Sequence, residues 1–167
     1  MCGIVGYTGS EQAAPFLLAG LAALEYRGYD SAGIEVLSPD GGLHGVKCAG
    51  RVATLQERCA TANLVGTSGI AHTRWATHGA PSDINSHPHM NNAGTIAVVH
   101  NGIIENYIPL KKKMQDKGYQ FISETDTEVL AHLLDYYYKG NPLEAITKVL
   151  HRVEGSYALG IMFADQP

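Results

Sequence analysis

The sequence predicts an α+β fold in which helices are layered on antiparallel sheet, rather than a doubly wound parallel sheet. The apolar segments do not alternate regularly between strand and helix patterns, because two or three helices follow one another before the last strand. A Pro-Asp-Gly-Gly cluster at 39–42 separates two strand-like runs as a hairpin turn would. At 167 residues the chain is long enough for one domain with a hydrophobic core.

The first half of the chain predicts a strand, a helix, a β-hairpin and a second helix. Residues 2–8 are apolar and bounded by glycines, which is typical of a short strand. The helix that follows has apolar residues at spacings of three and four and ends at Arg27-Gly28. Segments 31–37 and 42–48 are the hairpin strands, and residues 52–62 are the second helix.

Three further strands are predicted in the second half. Segments 67–75 and 95–101 each hold adjacent apolar residues and end in polar groups, which indicates buried strands. Segment 156–163 alternates between apolar and other residues, which predicts a strand with one buried face.

Helices are predicted between the last two of these strands. One runs from Asn106 and stops at Gly118, since glycine is the usual left-handed terminator. A capping box at Thr125–Glu128 predicts the start of the next helix. Asn141 followed by Pro142 predicts the start of a third.

The composition argues against several classes of function. Twelve Lys and Arg against sixteen Asp and Glu give a net charge of −4, and no basic surface for nucleic acid is indicated. No basic segment precedes an apolar run as in a secretory signal, and no apolar run is long enough to span a membrane. Three cysteines without metal-finger spacing argue against a disulfide framework, so we expect a cytoplasmic location.

Cys2 directly follows the initiator Met1. A cysteine is most often a small buried hydrophobe. At this position, however, removal of Met1 would leave Cys2 with a free α-amino group, a base with a pKa of about 7.7–8.0 on the same residue as the thiol. The position therefore predicts a nucleophile that carries its own general base, with the lowered thiol pKa of a reactive cysteine.

The Asn101-Gly102 pair follows an apolar strand, where such a pair is most often a hairpin turn. The segment after it has a helical pattern, which contradicts a returning strand. The Asn101 side-chain amide and the Gly102 N–H, placed at the end of a buried strand, would offer two donors to one point. That arrangement suits an oxyanion hole.

Five sequence blocks, in this order, resemble the glutaminase domains of glucosamine-6-phosphate synthases, which are class II glutamine amidotransferases of the N-terminal-nucleophile type. The blocks are CGIVGY, LEYRGYDSAG, GIAHTRWATHGAPSDINSHPH, VVHNGIIENY and FISETDTEV. The resemblance implies a four-layer αββα sandwich of the N-terminal-nucleophile hydrolase type, incomplete at the C-terminus. Residues 1–167 would then be a truncated glutaminase domain.

The resemblance also implies roles for individual catalytic residues. Cys2 would be the nucleophile, and Asn101 with the Gly102 N–H would hold the oxyanion. Arg27 would brace the nucleophile's end of the site. These roles are assigned because each residue matches a position in the motifs of that family.

Other residues are implied to bind the substrate, L-glutamine. Arg74 would bind the α-carboxylate, which a fork of donors suits better than a Lys. Asp126 would accept from the α-ammonium group, while Trp75, Thr77 and His78 would line the pocket. Each has an ordinary alternative, since Asp126 could stabilise a helix N-terminus, Arg74 could form a structural ion pair and Trp75 could be core.

The implied reaction is hydrolysis of the glutamine side-chain amide through a γ-glutamyl thioester on Cys2. The ammonia would aminate fructose 6-phosphate in a sugar-isomerase domain that this chain lacks. The resemblance implies no cofactor, and it implies a homo-oligomer for the full enzyme.

Three alternatives stay open. The chain could be the glutaminase domain of an amidophosphoribosyltransferase or asparagine synthetase, although RGYDSAG and TRWATHG favour the sugar-phosphate enzyme. It could be a non-catalytic glutamine-binding module. A zinc site is the third alternative, built from Cys2, His78, His87, His89 and His100, but these histidines lack the spacing of known ligand pairs.

Overall fold

The computed structural model describes residues 2–166, which form seven strands and five α-helices. In chain order they are β1 (Gly3–Thr8), α1 (Ala13–Leu24), β2 (Ser31–Leu37), β3 (Leu43–Ala49), α2 (Val52–Ala62), β4 (Ser68–Arg74), β5 (His89–Met90), β6 (Ile96–Ile104), α3 (Tyr107–Gln115), α4 (Glu128–Tyr137), α5 (Pro142–Leu150) and β7 (Gly155–Phe163). One turn of 3₁₀ helix, Glu25–Arg27, follows α1. Each strand and helix predicted from the sequence is present, whereas the two-residue β5 has no counterpart among the predictions.

The strands form two antiparallel sheets, with the orders β1-β4-β2-β3 and β5-β6-β7. Helices α1 and α2 cover the outer face of the first sheet around Leu17 and Leu55. Helices α3, α4 and α5 cover the second sheet around Leu130 and Leu134. The inner faces meet through a small apolar cluster that includes Val99. The four layers confirm the predicted α+β fold and the αββα sandwich that the resemblance implied.

Local signals in the sequence explain how several elements begin and end. The hairpin between β2 and β3 turns at Gly41, whose φ is +84°. Gly118 follows α3 with a φ of +92°, as a helix terminator does. At the start of α5 the Asn141 side chain accepts a hydrogen bond from the Glu144 N–H at 3.2 Å. In the part of the chain that the structure describes, no helix is long and apolar enough to cross a membrane.

The predicted end of strand β6 is wrong. The strand does not stop at Asn101 but continues through Gly102 to Ile104, and it pairs with β7 over its whole length. The helical pattern that follows begins only after a two-residue turn. Asn101 and Gly102 therefore lie inside a paired strand rather than at its end.

The predicted capping box at the start of α4 is also wrong. Helix α4 begins at Glu128, and its carboxylate accepts from the N–H groups of Ile122 and Ser123 at 2.9 and 2.7 Å. The hydroxyl of Thr125 lies 3.1 Å from Nε2 of His89. His89 therefore engages Thr125, and the loop just before the helix engages Glu128, so both side chains that the capping box would use are bonded elsewhere.

Gly33 lies on β2 against the loop that leads to β5. A Cβ built there would lie 2.0 Å from the carbonyl oxygen of His87, whereas a Cβ at Gly6 on β1 would meet nothing within 4 Å. We expect Gly33→Ala to lower the free energy of unfolding by about 1–3 kcal/mol, because the backbone at His87 must move. Urea denaturation of this variant and of Gly6→Ala, the matched control, measures the effect. Equal stability of the two variants would contradict the close packing.

Candidate active site

A cavity of about 580 Å³ opens where the chain enters β1, near the end of β4 and along β6. It is lined by every residue predicted for the site: Cys2, Arg27, Arg74, Trp75, Thr77, His78, Asn101, Gly102 and Asp126. Ser156 and Tyr157 of β7 also line it, and the sequence analysis assigned neither of them. Residues separated by up to 155 positions in the sequence thus share one cavity.

The thiol of Cys2 lies against the backbone of Trp75. Its Sγ accepts a hydrogen bond from the Trp75 N–H at 3.2 Å and lies 3.6 Å from the Trp75 carbonyl oxygen. Burial raises the pKa of the Cys2 thiol, and the Trp75 N–H offsets only part of this rise. Loss of water around the sulfur thus outweighs the hydrogen bond, whereas the lowered thiol pKa predicted for the processed chain stays a prediction. Met1, whose predicted removal would free the α-amine, lies outside the described residues.

Two side chains hold the carbonyl group of Cys2. Nε of Arg27 and Nδ2 of Asn101 each donate to the Cys2 carbonyl oxygen at 3.2 Å. Arg27 reaches it from the 3₁₀ turn and Asn101 from β6, so the residue is held from two elements. Beside Asn101, Gly102 has a φ of +127°, and a Cβ there would lie 2.1 Å from the carbonyl oxygen of Ser156. Only glycine fits this distorted point of the strand.

Arg74 is 3% exposed at the end of β4. Its Nη2 donates to the carbonyl oxygens of His78 and Gly79, the second at 2.9 Å, which closes the loop after the strand. Its Nη1 is buried and has no hydrogen-bond partner among residues 2–166. No carboxylate within these residues pairs with Arg74, so the alternative of a structural ion pair is wrong.

Asp126 is 3% exposed and lies two residues before α4. Its Oδ2 accepts from the Ile104 N–H at 2.8 Å, and its Oδ1 lies 3.9 Å from Nδ1 of His78. The carboxylate therefore bonds to β6 and faces the cavity instead of capping a helix. Trp75 is 50% exposed and lies edge-on to Tyr29 at 5.7 Å, so it is not core either.

A family model described as "Glutamine amidotransferase domain" matches residues 72–167, which is more than half of the chain. The chain belongs to this family. The match confirms the resemblance found in the five sequence blocks.

Individual relatives and solved structures are similar to this amidotransferase domain. The glutamine–fructose-6-phosphate aminotransferase (isomerizing) of Caldanaerobacter subterraneus subsp. tengcongensis is 62% identical over the whole chain, and that of Clostridium tetani is 58% identical. The chain spans 27% of the length of each. The structure of glutamine phosphoribosylpyrophosphate amidotransferase from B. subtilis, complexed with ADP and GMP, superposes with a TM-score of 0.83 at 30% identity. The superposition covers 98% of this chain and 35% of the B. subtilis chain. The names of the two relatives do not favour the alternative of another class II enzyme.

Asp30 of the amidotransferase domain is a site residue that the sequence analysis did not assign. Its Oδ2 accepts from the Ala76 N–H, and its own N–H donates to the Arg74 carbonyl oxygen at 3.2 Å. The segment 74–76, which carries the Trp75 N–H that contacts the thiol, is thus tied to the start of β2. The signal was present in the RGYDSAG block, where a lone carboxylate precedes a buried strand.

The histidines proposed as zinc ligands do not form one set with Cys2. His87 stacks on His72 at 4.1 Å and lies edge-on to His89 at 4.8 Å, whereas His78 lies apart, 5.2 Å from the ring of Tyr107. Burial lowers the pKa of His87 and of His89 well below the usual value, and the charge of Arg74 lowers both further. Over residues 2–166 no group of three His, Cys, Asp or Glu side chains is arranged to hold a metal ion.

Glu128 anchors the loop that carries Asp126. Burial alone would raise the pKa of Glu128, but the His132 imidazole 3.5 Å away and hydrogen bonds from Ser123 and from the backbone N–H groups of Ile122 and Ser123 lower it to about 2. We expect Glu128→Gln to lower the free energy of unfolding at pH 7 by about 1.5–3 kcal/mol, because charged hydrogen bonds are lost.

This loss should depend on pH. Between about pH 4.3 and the folded pKa of about 2 the unfolded chain binds the proton more readily, so the contribution of Glu128 falls as the pH falls through this window. Denaturation of wild type and variant at several pH values measures the difference. The matched control is Glu144→Gln, on an exposed carboxylate paired with Lys148. If the difference in the free energy of unfolding between wild type and Glu128→Gln does not become smaller as the pH falls, the anchoring role is contradicted.

Proposed function

We propose that this domain hydrolyses the side-chain amide of L-glutamine to glutamate and ammonia, with Cys2 as the nucleophile. One observation carries the proposal: the buried, unpartnered Nη1 of Arg74 lines the same cavity as the Cys2 thiol, the Asp126 carboxylate and the Asn101 amide. An unpaired buried cationic nitrogen is costly unless a ligand supplies an anion.

Substrate recognition follows from the two opposite charges in the cavity. The free Nη1 of Arg74 donates to the α-carboxylate of glutamine in a charge-assisted hydrogen bond, while Nη2 stays bound to the loop carbonyls. Oδ1 of Asp126 accepts from the α-ammonium group, while its Oδ2 is held by the Ile104 N–H. An amino acid bound at both α-groups extends its side-chain amide toward Cys2.

In the proposed acylation step the α-amine of the processed Cys2, from which Met1 has been removed, accepts the thiol proton. The sulfur then forms a bond to the amide carbon of glutamine, and the carbonyl oxygen becomes an anion held by Asn101 and Gly102. The carbon–nitrogen bond breaks and the nitrogen takes the proton from the α-ammonium, so ammonia leaves. The raised thiol pKa makes this internal base necessary.

In the deacylation step a water molecule attacks the γ-glutamyl thioester and gives its proton to the α-amine. The carbon–sulfur bond breaks, the thiolate recovers the proton, and glutamate leaves. The amine thus transfers a proton in both halves of the reaction.

We further propose that residues 1–167 are the glutaminase domain of a longer, cytoplasmic, homo-oligomeric enzyme. Its sugar-isomerase domain would use the ammonia to aminate fructose 6-phosphate to glucosamine 6-phosphate. The names of the relatives support this, and so does the fact that the chain spans only 27% of their length. No nucleic acid, membrane or cofactor enters this proposal.

Arg74→Lys tests the binding mode. We expect the KM for glutamine to rise by about 10- to 100-fold with a smaller fall in kcat, because an ammonium group cannot hold the loop carbonyls and the substrate carboxylate at once as the planar guanidinium does. Steady-state release of glutamate by the processed protein measures both constants. Arg58→Lys is the matched control, since Arg58 forms an exposed ion pair with Asp83. An unchanged KM would contradict the assignment, and a wild-type protein that binds glutamine without hydrolysing it would support the binding module instead.

A further inference from the structure

His72 on β4 is fully buried and lies two residues before Arg74, on the same face of the strand. Its Nε2 lies 2.9 Å from Oδ1 of Asn101 and 3.0 Å from the carbonyl oxygen of His100. Both oxygens can only accept, so Nε2 must carry the hydrogen and donate to both. The other ring nitrogen, Nδ1, is buried and has no partner among residues 2–166. Burial lowers the pKa of His72 to about 4, so the ring is neutral with its one hydrogen on Nε2.

This tautomer determines which end of the Asn101 amide faces Cys2. With Oδ1 bound to His72, Nδ2 is turned to the nucleophile and donates to the Cys2 carbonyl oxygen at 3.2 Å. If the amide turned over, its oxygen would face the Cys2 carbonyl oxygen and its N–H groups would face the imidazole N–H. Both ends would then be repulsive.

The imidazole of His72 is itself held in place. The ring of His87 stacks on it with a centroid distance of 4.1 Å and an interplanar angle of 15°. Nδ1 of His87 accepts from the His100 N–H at 3.3 Å, which ties the stacked ring to β6. His72 does not line the cavity. It therefore touches no substrate in the cavity, and Asn101 is the predicted site residue whose side chain it bonds.

We propose that His72 is a positioning residue that keeps the N–H groups of the Asn101 amide turned toward Cys2 and the oxyanion that forms when its sulfur attacks glutamine. The inference rests on the proposed glutaminase function and adds a residue that touches no substrate. Without the imidazole N–H the amide can turn over, and a carbonyl oxygen then faces the oxyanion.

Two substitutions separate positioning from packing. In His72→Gln the side-chain amide can place an N–H near the position of Nε2, whereas His72→Leu fills the space without a donor. We expect His72→Leu to lower kcat for glutamine by about 10- to 100-fold at nearly unchanged KM, and His72→Gln to retain most of the activity. Equal kcat values for both variants and wild type would overturn the proposal, and so would equal losses in the two.

A second comparison isolates the oxyanion. The open-chain form of glutamate γ-semialdehyde, the aldehyde analogue of glutamine, accepts the Cys2 sulfur at its carbonyl carbon; the α-amine keeps the thiol proton and the carbonyl oxygen becomes an oxyanion. Iodoacetamide alkylates the same sulfur by displacement of iodide and builds no oxyanion. We expect the aldehyde inhibition constant of His72→Leu to rise about 10- to 100-fold, with an unchanged rate of alkylation. His89→Leu, in the same buried cluster but bonded to Thr125, controls for loss of a buried histidine and should leave the ratio of the two readouts unchanged.

The tautomer can be read directly, even if His72→Leu fails to fold. Nitrogen NMR of the wild-type protein labelled at histidine should show His72 with a protonated Nε2 and an unprotonated Nδ1 at neutral pH. The opposite tautomer would overturn the proposal. If wild type does not hydrolyse glutamine, the proposed function fails. The role of His72 is still decided by its tautomer and by the aldehyde inhibition constant compared with the rate of alkylation.

Discussion

Replacing Cys2 with Ala is expected to lower glutamine hydrolysis by the processed protein at least about 10³-fold, because nucleophile and proton acceptor belong to the same residue. The cavity should still bind glutamine, since Arg74 and Asp126 are untouched. Glutamate release measures turnover, and calorimetry measures the retained binding. Cys59→Ala, a change in the core between α2 and the first sheet, serves as the control.

The same mechanism predicts that a blocked α-amine is as damaging as a missing thiol. Acetylation of the processed N-terminus should reduce turnover to a similar degree, because the raised pKa of Cys2 leaves little thiolate without an internal base. Retention of full turnover after acetylation, or in Cys2→Ala, would refute the mechanism.

Asn101→Ala is expected to lower kcat by about 10²- to 10³-fold, the usual effect of removing one oxyanion donor. The KM for glutamine should change little, because the α-groups of the substrate are held elsewhere in the cavity. Steady-state kinetics distinguish the two constants.

Two further measurements complete the Asn101 test. Asn92→Ala is the matched control, because within residues 2–166 that side chain bonds to the backbone of Gln120 alone, away from the cavity. Since Asn101 also holds the Cys2 carbonyl, the rate of iodoacetamide alkylation should be compared with wild type. A kcat close to that of wild type would exclude Asn101 as an oxyanion donor.

Much of the fold follows from local patterns. Alternation along 156–163 places Tyr157, Leu159 and Ile161 against the helices that cover the second sheet, as the structure shows. The hairpin turn and the start of α5 depend on Gly41 and Asn141, whose backbone preferences act over a few residues. Such signals need no knowledge of the rest of the chain.

The failed predictions share a physical cause. Strand β6 runs past Asn101 because β7, more than 50 residues later, supplies its hydrogen-bond partners. The capping box fails because His89 engages Thr125 and the loop N–H groups engage Glu128. At β6 and at Thr125 a partner distant in the sequence outweighs a weak local preference, and at Glu128 the preceding loop does so.

The candidate site, like the fold, is predicted in part by the sequence and decided in part by the tertiary structure. Residue type and position alone single out Cys2 as a nucleophile attached to its own amine, and the motifs name the residues that line the cavity. Sequence cannot show that burial raises the thiol pKa or that Nη1 of Arg74 is left without a partner. It also cannot show that Asp30 and His72 hold the backbone and the amide beside the sulfur. These properties depend on desolvation and on donor–acceptor distances between separate elements, so only the packing of the two sheets decides them.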